Sequence, residues 1–271
     1  MKLGIQMEEL NPSELSVLLI EPSKMQQNLI VKKLNEENVT NIEVVEAKLG
    51  ALSKITKYPP DVIISNLHYK DGTAIELLHM LRKYDDYVNI PFILISSEQR
   101  RDQLEVFKQS GILAILTKPF EQVALKRALR SATAFINKED LYLENYDVNT
   151  LRVALVDDST LARKAISKVL MNLGLNNIKE FSDGSFAIEY LNDNEIDLLV
   201  TDYNMPQVNG IELTQYVRAS QSHAHVPILM VTSEAKDSHL EKVREAGVDA
   251  ILDKPFDTTN VKTIMIKMFQ D

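Results

Sequence analysis

The sequence predicts an α/β protein made of two doubly wound (βα)5 domains in tandem, each built on a parallel five-stranded sheet. Three observations lead there. The chain has 271 residues, and at roughly 150 residues per domain that is two domains. It repeats itself at a shift of 136: residues 91–120, PFILISSEQRRDQLEVFKQSGILAILTKPF, align without gaps on residues 227–256, PILMVTSEAKDSHLEKVREAGVDAILDKPF, with 12 identities in 30. The same shift pairs VLLIEPS (17–23) with VALVDDS (153–159) and DVIISN (61–66) with DLLVTD (197–202), so the chain is a tandem duplication. Within each copy, short apolar runs alternate with segments of helical period, the pattern of strands joined by crossover helices.

In the second copy the strands are VALV (153–156), a weak one near IKEF (178–181), DLLV (197–200), PILMV (227–231) and AIL (250–252). Most are apolar throughout, as parallel strands buried on both faces should be. STLARKAISKVLMNLG between the first two reads as a helix, with Ser159 as N-cap, Leu161, Ala165, Ile166, Val169 and Leu170 as the inward stripe, and Gly174 as its end. The first copy repeats the plan through VLLI (17–20), VIIS (62–65), PFILI (91–95) and AIL (114–116). The expected organisation is an N-terminal tail (1–13), a first domain (14–137), a linker (138–150) and a second domain (151–271). FEQVALKRALRSATAFINKED closes the first domain as a helix, and the junction beyond it reads equally as a rigid coupling or a plain tether.

Composition narrows the function. Hydrophobic residues make up 45% and charged residues 25%, ordinary globular values. With no cysteine, disulfides, thiolate metal sites and cysteine nucleophiles are excluded, and the five histidines show no metal-ligand spacing. No stretch reads as a signal peptide or membrane span, so a cytoplasmic protein without membrane insertion is expected. The net charge of −9 falls in the second half, residues 138–271, with 13 Lys+Arg against 22 Asp+Glu. An acidic half with no basic stripe is a poor surface for DNA.

A sheet of this kind binds ligands beyond the carboxyl ends of its strands. In the second copy those ends carry Asp157 and Asp158 after the first strand, Asp202 after the third, Thr232 after the fourth, and Lys254 and Pro255 after the fifth. Three carboxylates converging in a partly desolvated cleft repel one another unless a cation compensates, and oxygen ligands suit Mg²⁺, which leaves room for a phosphoryl group.

With these residues in place, VDDS, DYNMPQVNGIEL, PILMVTSEAK and ILDKPF together resemble the receiver domain of two-component response regulators, especially its CheY-like members, over essentially all of residues 151–271. The resemblance implies a flavodoxin-like fold with the family's strand order 2-1-3-4-5, which comes with the resemblance and not from the residues themselves. It implies that Asp202 is the phosphoacceptor for a histidine kinase, that Mg²⁺ is held by Asp158 and Asp202, by Asp157 through water and by the main-chain carbonyl of Asn204, and that Lys254 and Thr232 contact the phosphoryl oxygens. It also implies that Asn204 and Glu234 tune dephosphorylation and that a cis peptide precedes Pro255.

Two positions depart from the family. Ile251 stands where an aromatic switch residue is common, which points to output by another packing change around helix 4, strand 5 and helix 5. Ser233 replaces an often smaller residue and narrows access to Asp202. The first copy departs further: Glu21 and Pro22 replace the acidic pair, Asn66 the phosphoacceptor and Ser96 the threonine, while Lys118 remains. An amide is a feeble nucleophile, so this copy resembles a degenerate receiver in which Lys118 pairs with Glu21 or Asn66. His68 and Tyr69, in LHYKDG (67–72), lie beside that site as a loop or a partner-recognition segment.

The expected function is a response regulator without DNA-binding or enzymatic output. Its expected partners are a sensor histidine kinase or phosphotransfer protein and a downstream protein, by analogy a chemotaxis or motility component; a homodimer is also compatible. A phosphate sink or phosphorelay intermediate is the near alternative. A haloacid-dehalogenase-type phosphatase needs a second aspartate where Ser159 stands, and an FMN binder would meet Asp157 and Asp158 at its phosphate.

Overall fold

The computed structural model describes residues 9–98, 101–233, 242–255 and 258–270. Contacts divide the chain into two compact units, Met1–Ser97 with Ala114–Asn137, and Glu98–Leu113 with Lys138–Asp271.

The first unit runs β1 (Val17–Ile20), α1 (Lys24–Glu36), β2 (Ile42–Val45), α2 (Lys48–Lys57), β3 (Val62–Asn66), the short antiparallel pair β4 (His68–Tyr69) and β5 (Gly72–Thr73), α3 (Ala74–Leu81), β6 (Phe92–Ser96), β7 (Ala114–Thr117) and α5 (Gln122–Ile136). Helix α4 (Arg101–Lys108) lies in the segment that belongs to the second unit. That unit continues with β8 (Arg152–Val156), α6 (Thr160–Asn172), β9 (Asn177–Phe181), α7 (Gly184–Leu191), β10 (Leu198–Asp202), α8 (Gly210–Ala219), β11 (Ile228–Thr232), β12 (Ala250–Asp253) and α9 (Thr258–Met268).

Both main sheets are parallel and doubly wound. Their orders are β2-β1-β3-β6-β7 and β12-β11-β10-β8-β9, which are the same order read from opposite edges. Strands β1, β6, β10 and β11 are buried at every position, which is why their sequences are apolar runs rather than alternations. The edge strands β2 and β9 are largely exposed, and β2 escaped the sequence reading because IEVV carries neither a continuous buried run nor a one-sided alternation.

The duplication is visible in matched contacts. The Asp61 carboxylate accepts from the Ser16 amide (2.8 Å) and hydroxyl (2.6 Å), fastening the start of β1 to β3. At the same place in the second unit Asp197 accepts from the Arg152 amide and from its guanidinium, all at 2.8 Å, and the hydrogen bond from Arg152 holds the Asp197 carboxyl below its usual range.

Two details differ from the sequence expectation, and the course of residues 138–150 adds to them. The inward stripe of α6 comprises Ala162, Ile166, Val169 and Leu170, whereas Leu161 and Ala165 are only half-buried, since their turn of the helix is the one approached by Gly111 in the segment after α4. LHYKDG forms the β4–β5 hairpin instead of an open loop. Residues 138–150 run along the second unit: the Glu139 and Leu141 amides donate to the Asn172 and Leu173 carbonyls, both at 3.1 Å, and Leu141, Leu143 and Val148 are buried. Among the described residues no helix is long and apolar enough to cross a membrane.

The turn after β10 has no room for a side chain at Gly210, where a Cβ would lie 2.2 Å from the Asp202 carbonyl oxygen. Gly210→Ala is therefore expected to destabilise the second unit by about 1–3 kcal/mol through overpacking, read as a lower denaturation midpoint of that unit with the first unit's transition unmoved.

Candidate functional site

Strand register assembles the site. Thr201 pairs with Val156, Asp202 with Val231 and Thr232 with Asp253, so the last residues of β10 and β11 and those just past β8 and β12 meet at one edge of the sheet. Asp157, Asp202, Thr232 and Lys254 are all buried there, while Asp158 is exposed at the rim. Lys254 Nζ donates to Asp157 Oδ2 at 2.6 Å and to Asp202 Oδ1 at 2.9 Å. The other Asp157 oxygen accepts from the Ser159 amide at 2.8 Å, and the Asn204 amide reaches Asp202 Oδ2 at 3.3 Å. Asn204 itself is exposed. The Lys254 amide donates to the Thr232 carbonyl at 2.7 Å, and the Lys254–Pro255 peptide is cis. Ile251 is half-buried on β12 opposite Met230. Glu234 lies outside the described residues.

One carboxylate oxygen from each of Asp157, Asp158 and Asp202 lies within 4.8 Å of the others. Three carboxylates face a single ammonium, and burial together with their mutual repulsion shows in the protonation behaviour. Burial raises the Asp202 pKa to about 6, with repulsion from Asp157 adding to it and attraction to Lys254 opposing it. Burial likewise raises Asp157. For Lys254 burial works against the charge, but Asp157 and Asp202 outweigh it and keep the ammonium protonated. An all-oxygen, over-charged cluster fits a hard divalent cation such as Mg²⁺.

Sequence reasoning missed the partners drawn from the segment after α4. Lys254 Nζ also donates to Gln109 Oε1 at 3.0 Å, Gln109 Nε2 donates to Ser233 Oγ at 3.2 Å, and the Ser159 hydroxyl donates to the Gln109 carbonyl at 2.7 Å. No motif marks Gln109. Its aligned counterpart in the second copy is Glu245, an ordinary surface position of a helix.

The matching edge of the first unit is electrically balanced. The buried Glu21 carboxylate accepts from Lys118 Nζ at 2.9 Å and from the Ser23 amide at 3.0 Å, while Asn66 Nδ2 stands 3.5 Å from Glu21 Oε1. Lys118 therefore pairs with Glu21 and not with Asn66. Pro22 supplies no carboxylate, and Ser96 is buried beneath the site. The Lys118–Pro119 peptide is also cis. Beside this edge the Tyr69 hydroxyl bonds Ser65 Oγ, and burial pushes the phenol above its usual range. His68 is exposed.

Comparison with known proteins gives the family of both units. The model of the response regulator receiver domain matches residues 17–130 and again residues 153–266. The chain thus belongs to the receiver family of two-component signalling, and it carries the domain twice. It is 36% identical over 120 residues to the chemotaxis protein CheY-3 of Vibrio cholerae, a match covering 44% of this chain and 92% of that one. To the chemotaxis protein CheY of Pseudomonas aeruginosa it is 38% identical, covering 44% of this chain and 97% of that one. Among solved structures it is similar to the receiver domain of a sensor histidine kinase from Pseudomonas aeruginosa, solved with a magnesium ion coordinated in the active site cleft. That similarity has 25% identity and a TM-score of 0.42, over 45% of this chain and 98% of that one. Proteins of this family are signalling modules, and within these 271 residues the two receiver matches leave no stretch long enough for an effector domain.

The folded Asp202 pKa of about 6 lies above its ordinary 3.8, so its contribution to stability is intact below about pH 4 and is lost as pH rises through about 6. Without divalent cation Asp202 alone should contribute a loss of about 3 kcal/mol across that window, and Asp202→Asn should remove that share of the slope in denaturation measured against pH. In the first unit, Lys118→Met leaves Glu21 buried and unpaired and should cost about 3 kcal/mol, whereas Lys118→Met combined with Glu21→Gln should recover most of it, measured as a double-mutant cycle of unfolding free energies.

Proposed function

We propose that the chain is a response regulator whose second receiver accepts a phosphoryl group on Asp202, and whose first receiver is a pseudo-receiver. The expected division into tail (1–13), pseudo-receiver (14–137), linker (138–150) and phosphorylatable receiver (151–271) goes with this reading. The observation that carries it is the buried Lys254 ammonium bridging Asp157 and Asp202, with Asp158 at the rim.

In this mechanism Asp202 attacks the phosphohistidine of a sensor kinase or phosphotransfer protein and becomes an acyl phosphate, the histidine leaving. Asp158, Asp202 and the Asn204 carbonyl, with Asp157 through water, would hold Mg²⁺. Bound there, the cation neutralises charge on the phosphoryl oxygens. Lys254 exchanges part of its bonding from Asp202 to a phosphoryl oxygen, and Thr232 donates its hydroxyl to another. Asn204 and Glu234 set how fast water removes the group. Output passes through the surface of α9, β12 and the helical residues 242–245 ahead of that strand by a packing change not dependent on an aromatic at position 251. The effect is altered affinity for a downstream protein. Similarity to two chemotaxis proteins supports a chemotaxis or motility component, acting in the cytoplasm. The first unit lacks a phosphoacceptor because Asn66 stands at that position, and its Glu21–Lys118 pair already satisfies the charge a phosphoryl group would use.

Incubation with acetyl phosphate and Mg²⁺ is expected to add one phosphoryl group per chain by intact-mass spectrometry. Asp202→Asn or a chelator should abolish the addition, and Asn66→Ala should leave it unchanged. Modification that survives Asp202→Asn would refute the assignment.

A further inference from the structure

The second unit contains, besides its own receiver sequence, residues 98–113, and the end of that segment lies on the candidate site. Gln109 bonds to residues following three different strands: Ser159 after β8, Ser233 after β11 and Lys254 after β12. Lys108 Nζ adds a bond to the Ser233 carbonyl at 2.9 Å. Behind them Gly111 presses against α6. Its φ is +70°, and a Cβ there would stand 2.9 Å from the Leu161 carbonyl oxygen and 3.1 Å from the Ala165 side chain. Glycine is what permits both the left-handed turn and the approach.

We propose that Gln109 is an internal gate on phosphoryl transfer to Asp202, a role that rests on the phosphoacceptor reading above. An ammonium has three donors and no acceptor, and those of Lys254 are all engaged, by Asp157, Asp202 and Gln109. A phosphoryl oxygen on Asp202 needs one of them. The Gln109 carboxamide is the one neutral partner of the three and the one that belongs to no strand end of this sheet. It spans from Lys254 to Ser233, the ground beside Thr232 that the phosphoryl group would enter. Phosphorylation and seating of the 107–111 segment thus compete for the same donor and the same space. Seating slows phosphorylation by occupying that donor and space, and by linkage a phosphoryl group in place disfavours seating and releases the segment. Release frees the surface of α6 around Leu161 and Ala165 together with the segment itself, which makes the signal readable outside the site.

The test uses the full chain with acetyl phosphate and Mg²⁺. Gln109→Ala is expected to raise the rate of phosphoryl incorporation about fivefold, the weight of one net hydrogen bond lost from the seated state. Gln109→Glu, which offers Lys254 a third carboxylate, should slow it below wild type. Beryllofluoride, standing in for the phosphoryl group, should raise amide exchange across 104–113 in the wild-type chain. Equal rates in wild type and both variants, or a slower Gln109→Ala, would overturn the gate while leaving Asp202 as phosphoacceptor. Faster Gln109→Ala without increased exchange would overturn the release. Absence of phosphoryl uptake by every variant would overturn the phosphoacceptor reading and the gate with it.

Discussion

A single ammonium between two buried carboxylates governs the chemistry of the second unit. Lys254 neutralises one charge of three, and the remainder is held at the sheet edge by backbone that leaves little freedom to relax. Asp157 is fixed by the Ser159 amide, Asp202 by the Asn204 amide and by a turn too tight for a side chain at Gly210. Carboxylates crowded this way remain poorly compensated by the protein alone. Burial, with repulsion from Asp157 added, raises the Asp202 pKa to about 6, and an oxygen cluster with this excess of negative charge fits a hard cation.

The first unit shows what happens when that imbalance is removed with the architecture kept. Strand order is identical, the clamp between the start of β1 and β3 is retained as Asp61 with Ser16, and both lysine–proline peptides are cis. What differs at the sheet edge is the charge count, with one glutamate facing one lysine. Fold and site are thus separable. The core of β1, β3 and β6 is apolar on both faces and does not depend on the acidic edge.

Most of the fold was legible because its signals are local and doubled. Apolar runs such as VLLI and DLLV mark buried strands, and the 136-residue shift pairs the buried strands of one copy with those of the other. Strand β2 was lost because an edge strand carries little burial signal, and the β4–β5 hairpin because a pair of two-residue strands has no periodicity to read. The candidate residues Asp157, Asp158, Asp202, Thr232 and Lys254 could be named since each stands at or just past the end of an apolar strand run. Gln109 could not: it follows a helix of the other copy, its residue type carries no chemical signature, and its contacts are long-range. The half-burial of Leu161 and Ala165 has the same origin, for α6 meets a neighbour that helical periodicity does not encode.

The two copies also fasten the loop after the third strand in opposite senses. In the first, Asp71 of that loop accepts from the Lys48 and Leu49 amides at the start of α2, each at 2.8 Å. In the second, Asp183 at the start of α7 accepts from its own helix at Ser185 (2.9 Å) and from the loop at Gln207 (2.9 Å) and Val208 (3.2 Å). The acid has changed sides: Ala47 aligns with Asp183 and Asp71 with Gln207. A loop exchanged between the copies would bring two acids together in one and leave helix and loop unjoined in the other. Recombination between these sister sequences would therefore carry a structural penalty in both products.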